Sequence, residues 1–305
     1  MNKAPGAAFA AQPGSLGKDT IEGVKKNIMS LLAVGSVALD DVETPEAKAE
    51  GILGGAASFA SVAAARFAKV ELVGIVGSDF PDEHIEMFKS QGVGTQALEV
   101  KEGKTFHWEG RYHEDMVHRD TLMTELGVFE DWSPVIPESL RKMPFVFLGN
   151  IHPQLQLDVL DQMEEPKLVG CDTMNLWINI AREELEQVIK RTNILIINDE
   201  EARMLTEVIS LHKAARILQE MGPEIIIIKR GEHGASVHGK DRLFFAPAYP
   251  LDDVTDTTGA GDTFAGAMMG YLAQQNSDRY EDVCRGVLNG SVLASFAVEG
   301  FSLKR

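Results

Sequence analysis

Cysteine is scarce. The 305 residues hold two, Cys171 and Cys284, far apart and outside any C-x-x-C spacing. That excludes a disulfide-stapled scaffold and predicts free thiols in a reducing, cytoplasmic compartment. Basic charge is short as well. With 29 Lys and Arg against 46 Asp and Glu, the formal net charge is −17. A chain so acidic is not expected to bind DNA, RNA or an anionic membrane surface. A small anion held by local dipoles stays open to it. Long apolar runs are missing: no window offers ~18 consecutive apolar residues, so no transmembrane span is predicted. The first residues carry only the Ala7–Ala11 patch, too weak for a secretory signal. Two glycine-rich phosphate motifs also fail at residues 259–264. A dinucleotide-binding G-x-G-x-x-G would need glycine at Phe264, and a Walker loop would need Gly-Lys-Ser/Thr where Asp262 stands.

What is present is an ordinary globular composition, 44% apolar and 25% charged, with length for one large core and a small appendage. Residues 1–28, rich in Gly and Pro, read as an N-terminal extension. From residue 29 onward strand and helix patterns alternate. Continuous apolar runs such as Ser30–Val37, Phe145–Leu148, Ile194–Ile197 and Glu224–Lys229 have the character of buried parallel strands. A further strand is expected over Val237–Phe245, and two last helices after Gln274. The fold class predicted is α/β, a doubly wound, mostly parallel sheet flanked by helices. Residues 42–53 leave that sheet, and 104–126 alternate aromatic with polar groups. Together they predict a small β lid drawn from about 42–53 and 95–126.

The chain is organised around Asp256-Thr257-Thr258-Gly259-Ala260-Gly261-Asp262, a loop that becomes a helix. Phe264, Ala267, Met268, Tyr271 and Leu272 then recur at helical spacing. Free backbone N–H groups gather at such a tip, small residues admit an anion, and the helix dipole favours negative charge. Asp262 sits at the same helix start. A carboxylate there is placed to take a proton from a hydroxyl that attacks a phosphate. Asp40, with Asp41 as its rival, follows the first strand, where ligands collect in open α/β sheets. Asn150 closes another strand on the same side. Gly54 and Gly55 open a helix against which a substrate could seat. In the lid, Arg111 is the preferred substrate contact among Arg111, His113, Asp115, His118 and Arg119. The histidines match no metal-ligand spacing.

The run DTTGAGDTFAGAMM resembles the C-terminal signature of the PfkB, ribokinase-like family of sugar and nucleoside kinases, and looser matches follow the family order over most of 30–300. The resemblance implies a ribokinase-like fold and an ATP-dependent kinase acting on a hydroxyl of a small sugar, with an adenosine-like nucleoside as the alternative acceptor. A non-catalytic sensor is the reading from another class. By resemblance Asp262 is the catalytic base, and Gly259, Ala260 and Gly261 are the anion hole. Asp40, Gly54 and Gly55 bind substrate, and Ser58 stands where the family usually has Asn. Asp172 to Asn175 looks like the family's D-x-x-N element near the phosphates. Asn198 and Glu201 match its N-x-x-E motif, Asn198 toward nucleotide phosphate and Glu201 toward Mg²⁺ through water. Lys229, Gly231 and Gly234 lie along the nucleotide, and the surface around Asn289 packs on adenine. Asp256 stands where some relatives hold K⁺. The lid also offers an edge through which two copies could pair. Phe106, Trp108 and Tyr112 could stack on a base or pack the lid.

Overall fold

The computed structural model describes residues 29–303, so the expected extension at 1–28 lies outside the described residues. The strands are β1 (Ser30–Val34), β2 (Ala38–Glu43), β3 (Lys48–Gly54), β4 (Lys69–Gly77), β5 (Val93–Lys101), β6 (Phe106–Tyr112), β7 (Arg119–Glu125), β8 (Phe145–Leu148), β9 (Leu168–Asp172), β10 (Ile194–Asn198), β11 (Ile225–Lys229), β12 (Ala235–His238) and β13 (Leu243–Ala246). The α-helices are α1 (Ala56–Ala64), α2 (Asp82–Ser90), α3 (Pro153–Gln162), α4 (Asn175–Ile180), α5 (Arg182–Lys190), α6 (Asp199–Thr206), α7 (Leu211–Glu220), α8 (Ala260–Gln275) and α9 (Tyr280–Val298).

Nine strands form one sheet in the order β13-β12-β11-β10-β9-β8-β1-β4-β5. It is parallel from β5 to β11, and β12 and β13 add an antiparallel edge. Successive residues of a strand point to opposite faces. Leu32 and Val34 pack with α3, α5, α6 and α7, while Leu31 and Ala33 pack with α1, α8 and α9. Because both faces are covered, the central strands read as unbroken apolar runs. The chain fills the sheet outward from β1 in one direction through β4 and β5. It then returns to β8 and proceeds the other way. The order therefore reverses between β1 and β8, and a crevice opens there beyond the strand ends.

A second, four-stranded sheet has the order β3-β2-β6-β7. Its boundaries correct the expected lid ranges. It comprises 38–54 and 106–125, whereas residues 95–101 belong to β5, the edge of the large sheet. The strand expected to run to Val37 stops at Val34, so Asp40 lies on β2 of the small sheet and not on a core strand. The single strand expected over Val237–Phe245 is a hairpin, closed where Gly239 N–H donates to the Arg242 carbonyl at 2.9 Å. The two helices expected after Gln274 are one, α9. Among the described residues no helix is long and apolar enough to cross a membrane.

Candidate active site

The loop 255–259 is anchored before the helix begins. Thr255 N–H donates to the Val298 carbonyl at 2.8 Å, and the Thr258 N–H donates to Asp256 Oδ1 at 2.8 Å. Asp256 is 1% exposed. Gly259 is the N-cap residue of α8 at φ 73°, a left-handed conformation that costs little only for glycine. A Cβ there would also come within 2.4 Å of the Phe59 ring. Among the described residues no side chain caps the helix; the Ala260 N–H turns back to the Thr257 carbonyl at 3.3 Å, and the other donors of the first turn remain for a ligand. Asp262 lies half-buried in the first turn. Burial, then the Asp172 charge, push its pKa up to about 7, against the pull of Lys229 and Arg119.

Three parallel strands end beside this tip. Their register sets Asn198 opposite Lys229, and Asp172 opposite Ile196 on the intervening strand. Lys229 Nζ lies 2.7 Å from Asp172 Oδ2. Burial works against the ammonium, but Asp172 and Glu201 outweigh it and hold the Lys229 pKa above its ordinary value. A Cβ on Gly261 would sit 3.0 Å from that Nζ. The lysine therefore stands against the helix tip. Asn198 and Glu201 form a capping box at α6: each side chain accepts the other's backbone N–H at 2.8 Å. Burial pushes Glu201 up to about 7.

On the other side of the crevice, Asp40 is 4% exposed. Burial, then the charges of Asp256, Asp41 and Asp262, push it up to about 8. A Cβ on Gly54 would fall 1.8 Å from Asp40 Oδ2, so only glycine lets this carboxylate lie there. Gly55 serves differently. At φ 93° it brings the chain against Ser36, whose Oγ and carbonyl oxygen accept the Ala56 and Ala57 N–H groups, both at 3.0 Å.

The sequence profile of the pfkB family carbohydrate kinases matches residues 31–302. The chain belongs to that family. It is 32% identical over 265 residues to the cytidine kinase of Thermococcus kodakarensis, covering 84% of this chain and 92% of that one. To the ribokinase of Bacillus subtilis it is 26% identical over 265 residues, covering 80% and 86%. Its fold superposes on the nucleoside kinase of Methanocaldococcus jannaschii, an archaeal member of the ribokinase family, with a TM-score of 0.72. That match has 20% identity and covers 90% and 92% of the two chains. A pfkB carbohydrate kinase is a phosphotransferase that acts on a hydroxyl group.

Not every residue expected at the site of this kinase is found there. Arg111 is on the outer face of the small sheet, paired with Glu43 at 2.9 Å and 3.1 Å. Strand alternation explains it: Trp108 and Tyr112 face the crevice, so Arg111 cannot. Ser58 is 0% exposed, and among the described residues its hydroxyl has no hydrogen-bond partner. Asn150 closes β8 as expected, but its Oδ1 accepts Trp177 Nε1–H at 2.7 Å and its amide approaches the Met174 sulfur. Asn289 donates to the Arg285 carbonyl of its own helix at 2.8 Å. Gly231 and Gly234 flank the short turn between β11 and β12.

The small sheet brings in two groups that the sequence offers without preference, Tyr112 and Arg119. Tyr112 Oη and Thr258 Oγ1 are 3.0 Å apart, and Thr257 Oγ1 donates to the Met116 carbonyl at 3.0 Å. Arg119, opposite Tyr112, faces the same way. Period-two alternation through Trp108 and Tyr112 was the signal for both. The Asp172–Lys229 pair spans 57 residues and had no local signal.

Proposed function

We propose that this pfkB kinase transfers the γ-phosphoryl group of ATP to a ribose hydroxyl of a nucleoside, with cytidine the first acceptor to try. The observation that carries the chemistry is the pairing of Asp262 with the uncapped tip of α8, beside a half-buried lysine. Asp262 takes the hydroxyl proton as that oxygen bonds to the γ-phosphorus. The bond from phosphorus to the ADP oxygen breaks, and the electron pair leaves with ADP. An acidity near 7 suits a base that works at neutral pH. The tip at Gly259–Gly261, where the Ala260 N–H is held at 3.3 Å by the Thr257 carbonyl until a ligand takes it, and the Lys229 ammonium meet the charge that develops. Asp172 fixes Lys229 in place, and Asp40 holds an acceptor hydroxyl.

Mg²⁺ bound with the nucleotide neutralises phosphate charge. Among the described residues no three His, Cys, Asp or Glu side chains converge as for a metal held by protein alone. Glu201 keeps one carboxylate oxygen free of Asn198. That suits a hard cation held through water and phosphate oxygens. Asp256, buried and among the described residues in no ion pair, is the residue we assign to K⁺. A rate that stays flat as KCl replaces a large organic cation removes that assignment.

Two features favour a nucleoside over a free sugar. The cytidine kinase is more similar to the chain than the ribokinase is. The inner face of the small sheet also presents the Trp108 indole next to Asp40, its register partner on β2. An indole suits a flat base better than a sugar alone. The small sheet then acts as a lid over the bound acceptor. ATP consumption by the full chain across cytidine, other nucleosides, ribose and deoxyribose tests the reading. Turnover of ribose above every nucleoside overturns the acceptor, and no turnover with any of them overturns the kinase.

A further inference from the structure

The two faces of the small sheet treat charge differently. On the outer face acids and bases are matched: Arg111 with Glu43, His107 with Asp41 at 3.3 Å, and His113 with Asp120 at 3.0 Å. Lys48 pairs with Glu50 at 2.7 Å, and Lys104 with Glu125 at 3.8 Å. Among the described residues of this sheet, Arg119 alone of the Lys and Arg side chains has no carboxylate in ion-pair reach. Its guanidinium carbon lies 5.8 Å from the centroid of the Trp108 ring. Arg119 is the register partner of Tyr112, whose hydroxyl meets Thr258, so it points toward the loop that carries the helix tip.

The turn that leads into Arg119 is tied to that loop. The turn between β6 and β7 closes where His113 N–H donates to the His118 carbonyl at 2.9 Å. Met116, inside the turn, takes φ 55° and offers its carbonyl to Thr257. Non-glycine residues rarely hold such a φ unless their surroundings enforce it. Two hydroxyl bonds thus fasten the turn to the segment that precedes Gly259–Asp262. The crevice itself is acidic, with Asp40, Asp172, Glu201, Asp256 and Asp262 in or beside it. Its half-buried cation, Lys229, is already matched by Asp172. The positive charge of Arg119 is felt at both Asp262 and Glu201.

We propose that Arg119 is a catalytic residue supplied by the small sheet, whose guanidinium contacts the phosphoryl group during its transfer. This rests on the phosphotransferase reading above. A transferring phosphoryl spreads its charge over three oxygens, which a planar two-pronged donor matches better than an ammonium. The Trp108 ring lies under the guanidinium at cation–π distance, 5.8 Å from its carbon. Closure of the sheet over an acceptor then brings the last cation to the reacting group.

The test is steady-state kinetics of the full chain as wild type, Arg119→Met and Arg119→Lys, with MgATP and the best nucleoside of the panel. ADP affinity and thermal stability are measured alongside. Arg119→Met should lower kcat by about 100-fold or more, as loss of an arginine from a transferring phosphoryl does. ADP affinity and melting temperature should stay near wild type. Arg119→Lys should recover little, and added guanidinium ion should restore part of the rate of Arg119→Met, which a structural role would not allow. A wild-type kcat in either variant overturns the proposal while leaving the kinase intact. A loss carried wholly in the nucleoside KM overturns it too and reassigns Arg119 to acceptor binding. A wild-type chain that transfers no phosphate overturns both readings.

Discussion

Two helices in this protein begin at glycines with positive φ, α1 at Gly55 and α8 at Gly259. In sequence they look alike, and both were expected to receive a ligand. At α1, Ser36 accepts the first two N–H groups, so the helix start is satisfied from within. At α8, among the described residues, no side chain caps the tip, and the Ala260 N–H alone of the first residues turns back, to the Thr257 carbonyl at 3.3 Å. A lysine stands over Gly261, and a carboxylate of raised pKa sits in the first turn. A glycine before a helix therefore marks a tight entry. Whether the entry binds an anion depends on who takes the orphan donors.

The sharpest way to break this contrast is Asp262→Asn. It should lower kcat by about 10²–10⁴-fold, the range for loss of a general base, while ADP still binds in calorimetry. Next come the two glycines. Gly259→Ala forces a Cβ at φ 73° into Phe59. A shift of about 1 Å at the tip is enough to lower kcat by about 100-fold. Gly55→Ala drives a Cβ to 2.4 Å from the Ser36 carbonyl. Its backbone strain of about 1–3 kcal/mol should appear as lost stability in denaturant melts, with the smaller effect on kcat. Equal effects of the two on kcat would erase the distinction.

The α8 tip should also titrate. Asp262, near 7, must be ionised to accept a proton, so kcat/KM should fall about tenfold per unit as pH drops below about 7. The same raised groups bear on stability with the opposite sign. Asp40 near 8 and Asp262 and Glu201 near 7 bind protons more tightly folded than unfolded. Their contribution is complete below about pH 4 and is lost as pH rises through 7 and 8. The ligand-free chain should thus melt at lower temperature at pH 8 than at pH 6, and Asp40→Asn should shrink that difference. The smallest expected effect is Ser36→Ala. Removing the acceptor of the Ala56 N–H should cost about 1 kcal/mol of stability, as for a lost N-cap, with kcat near wild type.

Much of the fold was legible because covered parallel strands must be apolar throughout, which makes Phe145–Leu148 and Ile194–Ile197 plain in one dimension. The helix tip was legible because its donors, its small residues and its acid are contiguous. The substrate side was harder. Arg111 and Arg119 are equivalent as residues in a polar, aromatic stretch, and only the strand pairing sends one outward and the other inward. Ser58 offered a hydroxyl, but packing buried it completely. The hairpin at Gly239–Arg242 was missed because apolar residues flank it on both sides.

By itself, the sequence determined the alternating α/β order, the pfkB signature and the acid at the start of α8, because each is written within a few neighbouring residues. The tertiary structure alone decided that Lys229 meets Asp172, that Asp40 lies against Gly54 on a second sheet, and that Arg119 shares the face of Tyr112 and Trp108. Those contacts depend on which strand ends the topology sets side by side and on which face each strand turns inward. No local pattern encodes either.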